Sequence, residues 1–243
     1  RHSRENEAEA DRYAFTFLKN TGYDINAIKT CLQLLDRIDD TTIYKPVELQ
    51  SIFNFKDYAF KKRWIEKESS IFSAMTTEDS PLTSKEKDSL KTHPDCSKRI
   101  FMLEDSVSKM NGGNSFLVNE SIFKKLKKQF LVERVEQEFK NENLGHHLYL
   151  ALQLLQNNET KPYAVYSVVR GLNKLYENQK SHKLGLVTDK ESKYYPADYN
   201  LLLRMIDKLK LDEIAHINFY FCKQYADEMT NYAGYAEEMR KVV

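Results

Sequence analysis

Apolar residues recur at intervals of three and four positions along most of this chain, and this spacing constrains its fold more than any other feature. Such spacing places apolar side chains on one face of an amphipathic helix. Only seven Gly and five Pro occur among 243 residues, so few positions interrupt the pattern. We therefore predict a mainly α fold. Its helices are expected over residues 5–19, 25–38, 94–107, 122–141, 146–156, 162–178, 197–209 and 212–229.

The clearest linker signal is the run Asn-Gly-Gly-Asn-Ser at residues 111–115. We place a domain boundary there and predict two domains, residues 1–110 and residues 115–243, which suits a chain of this length. Beyond the boundary, the lengths of the predicted helices favour helical hairpins. Residues 148–162 resemble one tetratricopeptide unit, but no second copy follows in register, so true repeats stay one of two alternatives.

Residues 40–92 are less regular than the rest of the chain. The sequence FNFKDYAFKKRWI at 53–65 is a candidate for an aromatic helix, and residues 76–89 are almost entirely polar. This combination is typical of a long excursion from a compact domain.

Charge and composition argue against several classes of protein. The 37 basic and 36 acidic residues leave a net charge of +1, so no overall electrostatic signal calls for nucleic acid or an anionic membrane. No apolar run approaches the ~20 residues that a membrane-spanning helix needs, and no signal peptide is visible in the printed residues. The three cysteines form neither a CxxC zinc pattern nor a disulfide framework, which predicts mostly buried thiols.

Two acidic side chains point along one side of the first predicted helix. At about 100° per residue, Glu7 and Asp11 are about 40° apart, with Ala14 and Leu18 on the same face. A carboxylate on the buried side of a helix is unfavourable unless a cation, a metal ion or several donors compensate it. The alternative is an exposed first turn, where acidic residues simply favour the helix N-terminus. Spacing alone leaves both interpretations open.

The sequence around these acids resembles a family of zinc peptidases. Residues 3–14, SRENEAEADRYA, are similar to the ExxAD helix of the HtpX-like and CAAX-prenyl-protease-type metallopeptidases, which are gluzincins. Thr92-His93-Pro94 and Arg99-Ile100 resemble the THP…RI motif that closes the peptidase domain of that family, so the resemblance covers residues 1–108. It implies that Glu7 is a zinc ligand and that Asp11 supports a zinc-binding histidine, which fixes the tautomer of that histidine.

The THP…RI motif leaves the roles of two residues open. His93 is similar to a residue near the active-site cleft of the family, and its alternative is a core or capping histidine. Arg99 is expected to contact a substrate or to bridge to Asp11. The alternative for Arg99 is an ordinary ion pair on a helix surface.

The HExxH helix, which supplies two histidine ligands and the general base of these peptidases, is absent from the sequence. His146 and His147 do not replace it, because adjacent residues of a helix diverge by about 100°. We therefore expect a fragment whose HExxH helix precedes Arg1. The zinc site is then incomplete in this chain, and the chain lacks the general base.

The resemblance implies a zinc-dependent endopeptidase that acts on protein or peptide substrates. Relatives that join such a domain to a helical repeat domain are typically bacterial envelope proteins, so we expect a periplasmic or cell-envelope location and a role in envelope protein quality control. The second domain would present substrates or bind partners. The rival hypothesis is a non-catalytic helical protein-interaction module in which the ExxAD helix is a remnant.

Two features of the second half have less specific interpretations. Glu213 and His216 have the ExxH spacing, but a di-iron bundle needs that motif twice with two further Glu, so we favour a solvated or capping pair. Ten tyrosines lie between residues 163 and 235. They suit an aromatic peptide groove or ordinary helix packing, and we favour packing.

Overall fold

The computed structural model describes residues 2–37, 45–67, 96–110 and 112–241. The mainly α fold class is confirmed, and most helices begin and end within a few residues of the predicted positions. None of the helices in these ranges combines the length and the apolarity that crossing a bilayer requires. The helices are α1 (His2–Lys19), α2 (Ala27–Arg37), α3 (Leu49–Ile52), a 3-10 helix (Lys62–Trp64), α4 (Cys96–Ser108), α5 (Glu120–Lys140), α6 (Leu144–Gln156), α7 (Lys161–Lys180), α8 (Leu184–Val187), α9 (Ala197–Lys208), α10 (Leu211–Met229) and α11 (Tyr235–Arg240).

The described residues form two compact units. Unit 1 contains residues 2–37, 96–110 and 112–125, and unit 2 contains residues 45–67 and 126–241. The stretch 45–67 therefore packs with the helices of the second half, although in sequence it lies within the predicted first domain. The assignment of residues 1–110 and 115–243 to two functional domains stays a prediction.

Unit 1 has a small apolar core. Its helix α2 packs against α4, and α1 packs against both. The helix α1 adds only half-buried apolar side chains, Phe15 and Leu18, while its Tyr13 and Phe17 are exposed. The buried apolar residues of this unit are Ile25, Ile28, Leu32, Cys96, Leu103 and Val107.

The segment predicted as a linker is held to unit 1 by its backbone. The N–H of Asp24 donates to the carbonyl of Asn114 at 3.1 Å, and the N–H of Asn114 donates to the carbonyl of Gly22 at 2.9 Å. Gly113 has a φ of +115°, and a Cβ there would lie 2.4 Å from the carbonyl oxygen of Tyr23. Only glycine permits both this backbone angle and this approach.

Unit 2 is arranged around α7, which packs against α6, α10 and α11. The tyrosines of this half are buried or half-buried against its core, except Tyr194, which is exposed. The prediction that they serve ordinary helix packing is therefore confirmed. Fully buried core residues include Ala151, Leu152, Val168, Leu175, Ile214, Ile217 and Phe221.

The helix predicted over residues 53–65 is wrong. The chain there forms a tight turn, with mutual backbone hydrogen bonds between Phe55 and Tyr58, and then the short 3-10 helix. Phe53, Phe55 and Trp64 are all buried in unit 2. In a helix, Phe53 and Phe55 would point about 160° apart and would not both reach α10. The irregular backbone lets Phe53 meet Phe221 and Phe55 meet Tyr220, with ring centroids 6.0 and 6.1 Å apart.

Candidate functional site

Charged side chains of α1 and α4 meet where these two helices pack. Arg99 on α4 donates two hydrogen bonds of 2.7 Å to Asp11 on α1, from Nε to Oδ2 and from Nη2 to Oδ1. Its Nη1 donates to Oε2 of Glu7 at 3.2 Å, one turn earlier on α1. We call these three residues the Arg99 cluster. The sequence predicted that Arg99 contacts a substrate or bridges to Asp11, and the structure shows the bridge.

Both charges of the central ion pair are largely removed from water. Asp11 is buried, and the side chain of Arg99 is 12% exposed. The hydrogen bond to Asp11 raises the pKa of Arg99 against the opposing effect of burial, and the charges of Asp11 and Glu7 raise it further. An exposed acidic first turn is therefore wrong for Asp11. Glu7 is half-buried, and Ala14, which was expected on the same face, is exposed.

Arg99 holds the two carboxylates of the Arg99 cluster unequally. Asp11 receives two short bonds from Arg99, and Glu7 receives a longer bond from it. Each Asp11 oxygen also has a second lone pair that can accept from another donor.

The residues that the structure describes do not form a metal site by themselves. Among residues 2–37, 45–67, 96–110 and 112–241, no group of three or more His, Cys, Asp or Glu is placed to hold a metal ion. Catalytic zinc needs three protein ligands and an open position. The Glu7 carboxylate is of a type that binds zinc, so it fits one such position and does not make a site by itself. His93 lies outside the described residues, and its role stays a prediction.

The adjacent histidines of α6 diverge as predicted. The His147 ring is buried, and its Nδ1 and Nε2 each lie 3.0 Å from a carbonyl oxygen, those of Val135 and Ser167. Burial lowers the pKa of His147, although the two carbonyls act in the opposite direction. His146 instead lies beside Asp189, with Nε2 and Oδ2 separated by 3.4 Å. These two residues belong to the packing of unit 2.

A second charged cluster, which the sequence did not predict, lies in unit 2. Oε1 of Glu213 on α10 accepts hydrogen bonds from Lys61 Nζ at 2.7 Å and from Arg63, and its Oε2 accepts from the N–H of Lys210 at 3.2 Å. We call Glu213, Lys61 and Arg63 the Glu213 cluster. Burial by itself would raise the pKa of Glu213, but the hydrogen bonds from Lys61, Lys210 and Arg63 lower it to about 2.

The Glu213 cluster decides between the two roles predicted for Glu213. The capping role of Glu213 is confirmed by its bond to the N–H of Lys210 at the start of α10, but a solvated Glu213 is wrong, because the residue is buried. His216 is exposed and stacks on Tyr58. The run Lys61-Lys62-Arg63 was visible as a source of cations, yet nothing in its spacing indicates which of 36 acidic residues it meets.

The sequence predicted mostly buried thiols, and two of the three are buried. Cys96 and Cys222 are buried, and Cys31 is exposed. Burial raises the pKa of Cys222 to about 11, which keeps this thiol protonated at neutral pH. It is therefore a packing residue of unit 2.

Comparison with known proteins finds one family, over the segment that contains the Arg99 cluster. The family model described as Peptidase family M48 matches residues 1–107, the segment that contains all three residues of that cluster. No curated protein and no solved structure matches the chain. The match supports the M48 metallopeptidase family for this segment, and with it a metallopeptidase-type function. Peptidases of this family are generally zinc-dependent and act on protein substrates.

Proposed function

We propose that residues 1–107 are part of a zinc-dependent endopeptidase domain of the HtpX-like type, in which Glu7 is the zinc ligand that this chain provides. The observation that carries the proposal is the pair of carboxylates on one side of α1, held by a single arginine inside the segment that matches the M48 family. Arg99 donates two short bonds to Asp11 and a longer one to Glu7, which fixes both carboxylates on the same side of α1. A glutamate carboxylate is among the groups that bind catalytic zinc.

Asp11 and Arg99 are positioning residues in this proposal. The bonds from Arg99 fix the Asp11 carboxylate on α1, and its remaining lone pairs accept from a histidine that binds zinc. Such carboxylates typically change metal affinity about 10- to 100-fold. The expected roles of His93 toward the cleft and of Asp11 toward a histidine belong to the same proposal.

The other ligands must come from outside the printed residues. The 243-residue sequence contains no HExxH, which supplies two histidine ligands and the general base in this class of enzyme. When bound, zinc polarises the scissile carbonyl and activates water. The 243-residue chain alone is then expected to bind zinc weakly and to cleave no peptide.

A periplasmic or cell-envelope location, with a role in envelope protein quality control, extends the same proposal. Unit 2 would present protein substrates to the peptidase or bind partner proteins, whether or not its helices form tetratricopeptide-like repeats. The large apolar core of unit 2 supports a stable scaffold for such a surface.

A non-catalytic interaction module is the second candidate function. It is favoured by one observation: Arg99 already compensates both carboxylates, so the Arg99 cluster is stable without a metal ion. In that case α1 and α4 are a structural remnant, and the function of the chain lies in the helices of unit 2.

The coding sequence upstream of Arg1 separates the two candidates. The peptidase proposal expects an HExxH motif there, and a reading frame without one would sink it. Given the motif, zinc affinity of the longer protein is measured by competition with a chromogenic chelator. Glu7→Gln should weaken zinc binding at least about tenfold, as loss of a direct ligand exceeds the effect of its supporting groups. Glu9→Gln, an exposed acid on the same helix, is the control and should leave the affinity unchanged.

A further inference from the structure

The packing of unit 2 leaves a groove on this unit. The groove has a volume of about 450 Å³, and its lining comes from the middle of α5, the C-terminal half of α6 and the turn that follows α6. All of its lining residues belong to unit 2, so unit 2 by itself forms its walls. A concavity of this size is typical of a ligand site. We call it the α5–α6 groove, and its lining includes Lys127, Leu131, Arg134, Leu150, Leu154 and Asn157.

The apolar part of this lining is recessed. Val135 and Leu154 are buried, with 1% and 7% of their surface exposed. Leu131 and Leu150 are half-buried and pack against the core of unit 2. Leu150 and Leu154 lie four residues apart and therefore share one face of α6. Aliphatic side chains of a ligand that enter the groove would leave water, which favours binding.

Two exposed cations of α5 belong to the same lining. Lys127 and Arg134 are seven residues apart, so they point within about 20° of one another and lie about 10 Å apart along the helix axis. In the part of the chain that the structure describes, neither side chain forms an ion pair. Glu159 is the acid in the lining, so two cations against one carboxylate leave one positive charge in excess. This excess is complementary to an acidic ligand.

The turn after α6 adds a hydrogen-bonding group. Nδ2 of Asn157 donates to the carbonyl oxygen of Gln153 at 2.9 Å, which fixes the Asn157 side chain. Its Oδ1 accepts no hydrogen bond from the described residues, so it is available to a backbone N–H of a ligand. The groove therefore combines aliphatic, cationic and amide groups.

We propose that the α5–α6 groove binds an extended peptide segment in which aliphatic and acidic residues alternate. Every second side chain of an extended chain points to the same side, so the aliphatic side chains enter the groove while the acids stay at its edge. There the acids pair with Lys127 and Arg134. The separation of about 10 Å between these cations corresponds to about three residues of extended chain, at about 3.3 Å for each residue.

This inference deepens the proposed function, and it rests on that proposal only in that unit 2 there binds proteins. It adds the site on unit 2 and the class of segment that the site takes. Peptide binding by the 243-residue chain needs neither zinc nor an HExxH motif. A failure here would therefore leave the peptidase proposal untouched, and a reading frame without HExxH would leave this inference untouched.

A lipid surface and a second copy of the chain are poorer occupants. A planar bilayer contacts side chains that protrude, whereas Val135 and Leu154 are recessed. In a symmetric dimer the same groove meets itself, so Lys127 and Arg134 of one copy would lie against those of the other. Like charges placed together at an interface are unfavourable.

Fluorescence anisotropy of a labelled peptide tests the proposal. The probe is fluorescein-Gly-Asp-Leu-Ala-Leu-Asp-Gly-amide, and it should bind the 243-residue chain saturably and more weakly at high salt. A peptide with Asn at both Asp positions should bind about fivefold more weakly, because two ion pairs at an exposed edge are lost. Lys127→Gln/Arg134→Gln should cause the same loss with the Asp peptide. Leu131→Gln should weaken binding about tenfold, because a leucine of the peptide loses its aliphatic contact.

Exchange of the charges separates a direct contact from a general loss of fold. Lys127→Glu/Arg134→Glu should bind a peptide with Lys at both Asp positions more tightly than the unchanged chain does. The matched controls are Lys183→Gln/Arg240→Gln and Leu186→Gln, at exposed positions of unit 2 outside the groove, and they should leave the affinity unchanged. Far-UV circular dichroism and Trp64 emission check that each variant is folded.

Several results would overturn the proposal. These are no binding of the Asp peptide, equal affinity for the Asp and Asn peptides, and equal effects of test and control variants. Vesicles of equimolar phosphatidylcholine and phosphatidylglycerol that displace the peptide would favour a lipid surface instead. A concentration-dependent dimer that the peptide dissociates in ultracentrifugation would favour a second copy.

Discussion

The two charged clusters have opposite composition. In unit 1 one cation serves two carboxylates, because Arg99 bonds to both Asp11 and Glu7. In unit 2 one carboxylate serves two cations, because Glu213 bonds to both Lys61 and Arg63. Carboxylates therefore outnumber cations in the Arg99 cluster, and cations outnumber carboxylates in the Glu213 cluster.

The two clusters also differ in how much of each side chain is exposed to water. The Arg99 side chain is 12% exposed and the Glu213 side chain is 2% exposed, while Lys61 and Arg63 are 42% and 47% exposed. Removal of the central residue breaks both ion pairs of its cluster, whereas removal of an outer residue leaves one pair in place. The comparison therefore predicts that the arginine matters most in unit 1 and the glutamate matters most in unit 2.

The largest effect should come from the apolar contacts that accompany the Glu213 cluster. Phe53→Ala is expected to lower the free energy of unfolding of unit 2 by about 3 kcal/mol, because it leaves a cavity beside Phe221. Urea unfolding followed by the emission of Trp64, the single and fully buried tryptophan, measures this change. Phe101→Ala, at a position 80% exposed in unit 1, should stay within about 0.5 kcal/mol. If Phe53→Ala and Phe101→Ala lowered the free energy of unfolding equally, charges rather than packing would hold residues 45–67 in unit 2.

Within unit 1, Arg99→Met should be the most damaging change. It leaves the buried Asp11 without its cation and places Glu7 close to it, which is expected to destabilise α1 and α4 by about 3 kcal/mol. Glu7→Gln should change stability by less than about 1 kcal/mol, because its bond from Arg99 is longer than those to Asp11 and its side chain is partly in water. Hydrogen exchange of the α1 and α4 backbone measures both variants. Equal losses of stability in Arg99→Met and Glu7→Gln would contradict the central position assigned to Arg99.

Within unit 2 the order should reverse. Glu213→Gln is expected to destabilise the unit by about 2 kcal/mol, since two cations lose their partner next to a buried amide. Arg63→Met should cost less than about 1 kcal/mol, because half of the side chain is in water and Lys61 remains. Urea unfolding, followed by Trp64 emission, measures the stability of both variants. Glu228→Gln, an exposed glutamate paired with Lys161 in the same unit, should have no measurable effect.

The smallest effect is a pH dependence of unit 2. The folded chain holds the pKa of Glu213 at about 2, below the ordinary 4.5, so the unfolded chain takes up the proton first as pH falls. The stabilisation from Glu213 is therefore complete above about pH 4.5 and is lost as pH falls toward 2. The urea midpoint from Trp64 emission should fall over that range, and Glu213→Gln should show a shallower fall. An identical fall of the urea midpoint in the unchanged chain and in Glu213→Gln would contradict the assignment of this pH dependence to Glu213.

The sequence predicted the carboxylates of unit 1 better than their surroundings. Glu7 and Asp11 share a helical face because they are four residues apart, which is a local property. The bridge from Arg99 was one of several expected roles, because it joins residues 88 positions apart. The sequence predicted a solvated or capping role for Glu213 and not its ion pairs, because its cations come from a segment about 150 positions earlier, and no pattern of spacing connects them.

Local periodicity by itself determined most of the helices and the mainly α class, because helical hydrogen bonds and apolar faces depend on residues three or four positions apart. Overall charge was less informative: a net charge of +1 does not reveal that two cations meet at Glu213. Only the tertiary structure decided that residues 53–65 are not a helix, and that Arg99 and Glu213 each join two groups of opposite charge. Those outcomes depend on contacts between residues far apart in the chain, where packing and burial outweigh local preference.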